Sequence, residues 1–334
     1  MSASENTIPI VDVGLLESTD EGDLKEATGA IHRACTDCGF FYITGHDVPR
    51  GLQEELDQLS RDFFALDLDE KMAIRMGLGG RAWRGYFPVG EELTLGKPDQ
   101  KEGLYFGAEL DGIHPLVQSR TPLHGPNLFP DLPGFRDTVL DYLDALTKVG
   151  HQLARGISLS LGLEPDYLES RYTADPLILF RIFHYPVLPE GEAVPDLWSV
   201  GEHTDYGLLT ILRQDDAGGL QIKLRSTWID APPIPDTFVC NIGDMLDRLT
   251  GGLYRSTPHR VLNTSGRSRL SFPFFFDPAW NADVRPIHAN VSVVDDREQR
   301  WDQSSVHEIR GTYGEYLMQK IGKVFPDLGD SVLG

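Results

Sequence analysis

The chain is short of cysteine, short of basic residues relative to acidic ones, and without a long apolar run. Its 334 residues include three cysteines, Cys35, Cys38 and Cys240. That is too few for a disulfide framework and fits a reducing compartment. Cys35 and Cys38 form CTDC within a helix-like pattern, a spacing that leaves a redox pair open. Lysine and arginine total 30 against 51 aspartates and glutamates, a formal charge of −21 that disfavours nucleic acid and anionic lipid as partners. No apolar stretch is long enough to span a bilayer, and the opening MSASENTIPIVDV lacks a basic region followed by an apolar core and a cleavage site. Membrane insertion and secretion are therefore not expected, and the expected location is cytoplasmic. Repeats and low-complexity tracts are absent, and nothing marks an obligatory protein partner. An acidic exterior still allows a locally basic pocket for a small anionic substrate.

What is present changes character along the chain. TIPIVDV reads as a short strand, Asp23 to Cys38 as a helix, GFFYITGH as a strand and LQEELDQLSRDFFAL as a second helix after Pro49. Asp67 to Met76 suits a further short helix. Gly77 to Gly107 has no sustained period, so it reads as loops that could line a site. A long amphipathic helix is expected from about Phe135 to Leu161. From Leu177 onward LILFRIFHYP, LLTILRQ, GLQIKL, TWIDAP, TFVCNIG, HRVLN and RLSFPFFF are short β-type segments suited to a barrel or sandwich. VHEIRGTYGEYLMQKIGKVF reads as a terminal helix. The expected organisation is an N-terminal helical and mixed region at 1–175, a β core at 176–285 and a C-terminal extension at 286–334. No long linker separates them, so they are expected to pack as one unit.

The segment GEHTDYGLLTILRQDD carries the chemistry. His203 and Asp205 lie two apart, so in a strand both side chains leave one face. His259 follows 56 residues after His203, in STPHRV. Two imidazoles and one carboxylate on rigid strands make the donor set of a redox-active ferrous ion with open positions. Further on, in GRSRLSFPFFF, Arg269 and Ser271 alternate and share a face. A guanidinium fork beside a hydroxyl suits the distal carboxylate of a small dicarboxylic acid. Candidate substrate contacts are Arg81, Arg84, Tyr86 and Phe87 in the glycine-rich piece, and Phe274 in the last strand.

These motifs together resemble the isopenicillin N synthase-like group of iron(II)- and 2-oxoglutarate-dependent oxygenases. The likeness covers nearly the whole chain: IPIVDV, CGFFYITGH, GYFPVGEE, RIFHYP, HTDYGLLTILRQD, GGLQI, NIGDML, STPHRV and the R-L-S triplet occur in that family's order. The resemblance implies a mainly β fold with flanking helices, built on a distorted double-stranded β-helix (jelly-roll, cupin-like) core. It assigns His203, Asp205 and His259 to iron, Arg269 and Ser271 to the C5 carboxylate of 2-oxoglutarate, and Tyr185 to holding the co-substrate. Many relatives have Asn where this chain has Phe183, so a polar contact near the site is replaced here. The implied reaction oxidises a small molecule, most commonly by hydroxylation, while 2-oxoglutarate and O2 become succinate and CO2, with ascorbate as a candidate reductant. Isopenicillin N synthase and the plant ethylene-forming oxidase carry a similar R-x-S yet do not consume 2-oxoglutarate. An iron oxidase using O2 alone and a non-catalytic binding jelly roll are therefore the alternatives.

Overall fold

The structure is a computed structural model that describes residues 7–94, 97–187, 199–263, 265–287, 297–300 and 303–324. Residues 1–6 and 325–334, which belong to the expected terminal regions, lie outside the described residues. Strands β1 (Ile10–Asp12) and β2 (Phe40–Thr44) pair in parallel, Val11 opposite Ile43, with helix α1 (Glu21–Asp37) as the crossover. Helix α1 starts where the Asp20 carboxylate accepts the N–H groups of Gly22 and Asp23, and it buries Ala27, Ile31, Ala34 and Cys35 along one stripe. The turn into β2 needs Gly39, whose φ is +70° and whose Cβ would lie 2.5 Å from the Arg255 carbonyl oxygen. All three cysteines are buried and unpaired.

Helices α2 (Arg50–Phe64) and α3 (Leu68–Met72) follow. The piece expected as loop then forms β3 (Gly85–Phe87), the two-stranded pair of β4 (Leu93–Thr94) and β5 (Lys97–Pro98), and β6 (Glu102–Gly107). Strand β6 is buried along its full length, so its sequence shows no inside-outside alternation. Its glycines leave room for aromatic neighbours: a Cβ on Gly103 would meet Phe87 at 2.7 Å and Phe183 at 2.8 Å.

After the short α4 (Pro115–Gln118), the long α5 (Phe135–Ser160) buries Val139, Leu143, Leu146, Leu153 and Ile157 on one side. It packs closely on the sheet at Gly150, where a Cβ would sit 2.4 Å from the Phe276 ring. Strands β7 (Leu177–Tyr185), β8 (Val200–His203), β9 (Leu209–Gln214), β10 (Leu220–Leu224), β11 (Thr227–Asp230) and β12 (Phe238–Ile242) lead to helix α6 (Asp244–Thr250). Then come β13 (His259–Val261), β14 (Arg269–Asp277) and α7 (Tyr313–Val324). Helix α7 begins later than VHEI suggested, because residues 306–308 form a separate 3-10 turn and Gly311 has φ +96°.

An eight-stranded sheet has the order β1-β2-β12-β9-β14-β7-β6-β3, and a four-stranded sheet has the order β11-β10-β13-β8. Apart from the β1/β2 pair the ladders are antiparallel. The core is an open, distorted double-stranded β-helix with helices on its flanks, and both sheets line one interior cavity. Strand β14 spans it. Arg269, Ser271, Pro273, Phe275 and Asp277 line the cavity, and the alternate residues Leu270, Phe272, Phe274 and Phe276 are buried on the other face. No helix among the described residues is long and apolar enough to cross a membrane.

Candidate metal centre and co-substrate pocket

His203 ends β8 and His259 begins β13, and the ladder sets them directly opposite each other. Their ring centroids are 4.2 Å apart. Asp205, two residues past His203, places Oδ1 3.8 Å from His203 Nε2 and 3.7 Å from His259 Nε2. All three donor atoms lie within 4.8 Å of one another. His203 Nδ1 is 2.8 Å from the Gly201 carbonyl oxygen and His259 Nδ1 is 3.3 Å from that of Thr257. A carbonyl only accepts, so each Nδ1 carries the hydrogen and each Nε2 turns a lone pair inward.

Asp205 is fixed from the larger sheet. Its Oδ2 accepts Thr210 Oγ1 on β9 at 2.5 Å and Asn241 Nδ2 on β12 at 2.7 Å, which leaves Oδ1 for the centre. Burial works to raise the pKa of Asp205, but His259, His203 and the bonds from Asn241 and Thr210 outweigh it and hold the group low. Burial, and then the neighbouring His259, push His203 down to about 4. Near neutrality the centre therefore offers an ionised carboxylate and a neutral His203 imidazole, the states that bind a metal. The donor set of two imidazoles and one carboxylate on one face fits ferrous iron.

Arg269 lies in the same cavity, fully buried. Its Nε donates to the Gly218 carbonyl at 2.6 Å, and its guanidinium stands 4.7 Å over the Tyr185 ring, its partner across the ladder. Nη1 and Nη2 have no partner. A buried cation with two open donors is costly to leave unmatched, and a carboxylate satisfies both donors at once. Ser271, next on the same face, adds a hydroxyl beside that fork. Phe183 also lines the cavity, so an aromatic ring occupies the position where a polar Asn was the familiar alternative.

The substrate contacts expected from the glycine-rich piece lie elsewhere. Arg81 donates to the Arg120 carbonyl at 2.8 Å and does not line the cavity. Arg84 is buried in a separate, smaller pocket of about 100 Å³, where Nη2 donates to the Leu123 carbonyl at 2.8 Å. Tyr86 donates to Glu102 Oε2 at 2.6 Å, an oxygen that Lys71 also reaches at 2.8 Å. Phe87 packs edge-on against Tyr105 and Phe183 in the layer behind the cavity. Phe274 faces away by the alternation of β14, which gives the cavity Pro273 and Phe275 instead.

The cavity, about 330 Å³, has a different set of walls. Glu92, Lys101, Tyr105 and Arg181 form a polar side, and Leu317 and Ile321 of α7 form part of an apolar one. Lys101 Nζ is 2.6 Å from Asp99 Oδ2 and 3.1 Å from Glu92 Oε2, while the Tyr105 hydroxyl donates to Glu92 Oε1 at 2.8 Å. Arg181 was legible as a charge at an inward position of the alternation Leu179, Arg181, Phe183, Tyr185. Asp277 carries the same signal, at the end of the alternation Arg269, Ser271, Pro273, Phe275 on β14, whereas Glu92 and Lys101 had none.

Comparison with known proteins agrees with this geometry. Residues 8–132 match the family of non-haem dioxygenase in morphine synthesis N-terminal regions, and residues 176–278 match the 2OG-Fe(II) oxygenase superfamily. A Dictyostelium discoideum protein described as a probable iron/ascorbate oxidoreductase is 53% identical, over 98% of this chain and 97% of that one. A 1-aminocyclopropane-1-carboxylate oxidase from the same organism is 41% identical, over 96% and 95%. A homoarginine-6-hydroxylase of Arabidopsis thaliana is 34% identical, over 97% and 90%. Among solved structures, full-length Neurospora crassa T7H in complex with alpha-KG superposes with a TM-score of 0.79 at 27% identity, over 96% of this chain and 98% of that one.

Proposed function

The chain belongs to the 2OG-Fe(II) oxygenase superfamily and is an Fe(II)- and 2-oxoglutarate-dependent oxygenase of a small molecule, and on that premise we propose how its residues divide the work. His203, Asp205 and His259 would hold a ferrous ion, a three-donor set that suits a metal able to take further ligands. When bound, the iron supplies the oxygen-activating chemistry that couples decarboxylation of 2-oxoglutarate, to succinate and CO2, with oxidation of a substrate C–H bond. Arg269 and Ser271 anchor the C5 carboxylate of 2-oxoglutarate, and Tyr185 packs beneath the guanidinium. Thr210 and Asn241 occupy Asp205 Oδ2, so that Oδ1 faces the two imidazole Nε2 atoms and would be the oxygen offered to a metal. Leu317, Ile321 and Phe275 exclude water from the substrate side.

The single observation that carries the co-substrate assignment is the pair of unpartnered Arg269 nitrogens in the cavity that holds the three metal donors. We place the chain in the isopenicillin N synthase-like group on the order of its motifs. Hydroxylation is the proposed outcome, ascorbate the proposed reductant and the cytoplasm the proposed location, without an obligatory protein partner. The division at 1–175, 176–285 and 286–334 is likewise our reading. Two relatives are named for 1-aminocyclopropane-1-carboxylate and homoarginine, both amino acids, and we assign the substrate to that class.

A second reading, an iron oxidase that uses O2 without 2-oxoglutarate, is favoured by the 41% identity to a 1-aminocyclopropane-1-carboxylate oxidase. Succinate measured from 2-oxoglutarate separates the two. The proposed function expects succinate that depends on added Fe(II) and O2; substrate turnover with no succinate would establish the second reading instead.

A further inference from the structure

Besides the three metal donors, the cavity wall contains two ionisable groups that its own contacts leave incompletely matched. Arg181 projects from the middle of β7, its guanidinium 4.2 Å over the Tyr105 ring and 5.0 Å from that of Phe275. Its anion is Glu92, 3.6 Å from Nη1, but Glu92 is already shared by Lys101 and the Tyr105 hydroxyl. Arg181 Nε has no hydrogen-bond partner. Asp277 closes β14 and is 2% exposed. Its Oδ2 accepts the Tyr313 hydroxyl at 2.5 Å. Its Oδ1 lies against the Gly207 backbone, and the Leu208 N–H supports the carboxylate there without closing a full hydrogen bond on Oδ1.

Both residues line the same cavity. Asp277 stands opposite Leu177 on β7, four residues before Arg181. At about 3.3 Å per residue the two backbone positions are about 13 Å apart along the ladder. The side chains shorten that gap, and the charge of Arg181 is felt at Asp277 and lowers its pKa against the larger effect of burial. Burial without full pairing makes each group a recognition element of opposite sign. Resting on the oxygenase reading above, we propose that Arg181 and Asp277 are the two ends of a substrate clamp. Arg181 takes a carboxylate and Asp277 takes a cationic nitrogen, so the substrate is an elongated amino acid with those groups at opposite ends. The carbons between the ends lie in the cavity that His203, Asp205 and His259 also line. The clamp also selects against amines lacking the acid and acids lacking the terminal cation, because each leaves one of the two buried groups without its ligand partner.

The test is anaerobic calorimetry on the full chain loaded with Fe(II) and 2-oxoglutarate. The probes are L-homoarginine, its decarboxylated amine, and L-2-aminoheptanoate, which lacks the guanidinium. The wild-type protein is expected to bind L-homoarginine at least about tenfold tighter than either analogue, the range for one charge-assisted bond. Arg181→Met should weaken L-homoarginine by that factor and leave the amine unchanged, and Arg181→Lys should restore part of the loss. Asp277→Asn should weaken L-homoarginine and the amine while leaving L-2-aminoheptanoate unchanged. Titration of each variant with 2-oxoglutarate checks that the cavity is intact. Failure of the wild type to bind any probe, or an equal loss across all three in a variant, overturns the clamp. Succinate formed from 2-oxoglutarate without any probe reports separately on the oxygenase reading, so the two ideas fail independently.

Discussion

Arg269 on β14 and Arg181 on β7 enter one cavity from neighbouring antiparallel strands, but their surroundings differ. Arg269 has Nε anchored on a carbonyl and both terminal nitrogens open, over a single aromatic ring. Arg181 has the reverse: Nε is open, and its terminal Nη1 faces a carboxylate that already serves two other groups. The first arrangement is a rigid fork that suits one carboxylate held in one orientation. The second is a cation set in a network whose charges nearly cancel, which leaves it to discriminate among ligands more than to grip one. A fixed co-substrate and a selected substrate would need that difference.

The comparison can be broken at its shared centre first. Replacing Asp205 with Ala removes the carboxylate that Thr210 and Asn241 orient, so iron content and succinate formation should both collapse, by more than the roughly 100-fold typical of losing a supporting partner. Iron retained at wild-type occupancy would show that the metal sits elsewhere. Arg269→Met tests the open fork. Each charge-assisted bond is worth about 1.5–3 kcal/mol, so the KM for 2-oxoglutarate should rise about 10- to 100-fold while iron affinity holds. An unchanged KM would remove Arg269 from the co-substrate site.

The smallest effect is one of pH. Burial pushes Asp277 from 3.8 up to about 7. Between those values the folded protein keeps a proton that the unfolded chain has lost, so this residue makes stability fall as pH rises across that window. Thermal melting of Asp277→Asn should therefore decline less steeply than wild type from pH 4 to pH 7. Parallel curves would mean that Asp277 ionises like an exposed carboxylate.

Legibility in the sequence followed the local geometry. Alternation on β14 assigns Arg269 and Ser271 to one face from spacing alone, and the same rule applied to Phe274 turns it away from the cavity. Tyr86 and Phe87 lie on β3, whose three residues are all buried, so no alternation marks a direction. Aromatic and glycine content there suggested a site wall, but the residues pack behind it, Tyr86 on Glu102 and Phe87 on Tyr105 and Phe183. The wall residues from this region are Trp83, Glu92, Leu93, Lys101 and Tyr105, and its two charges, Glu92 and Lys101, read as ordinary surface groups until β4, β5 and β6 fold them inward.

The sequence by itself determined the kind of chemistry, because His203 and Asp205 lie two apart beside a distant His259, and because a strand with Arg269 and Ser271 two apart can aim both at one ligand, although β8 ends at His203 and leaves Asp205 just beyond the strand. Tertiary structure alone decided the register that sets His259 opposite His203, and the bonds across sheets that turn Asp205 toward them. It also decided that Arg181, Glu92, Lys101 and Asp277, spread over 186 positions of chain, meet in one chamber. The physical reason is range: a two-residue repeat orients neighbours on one strand, whereas the partners of a buried charge come from whichever strands the ladders bring alongside.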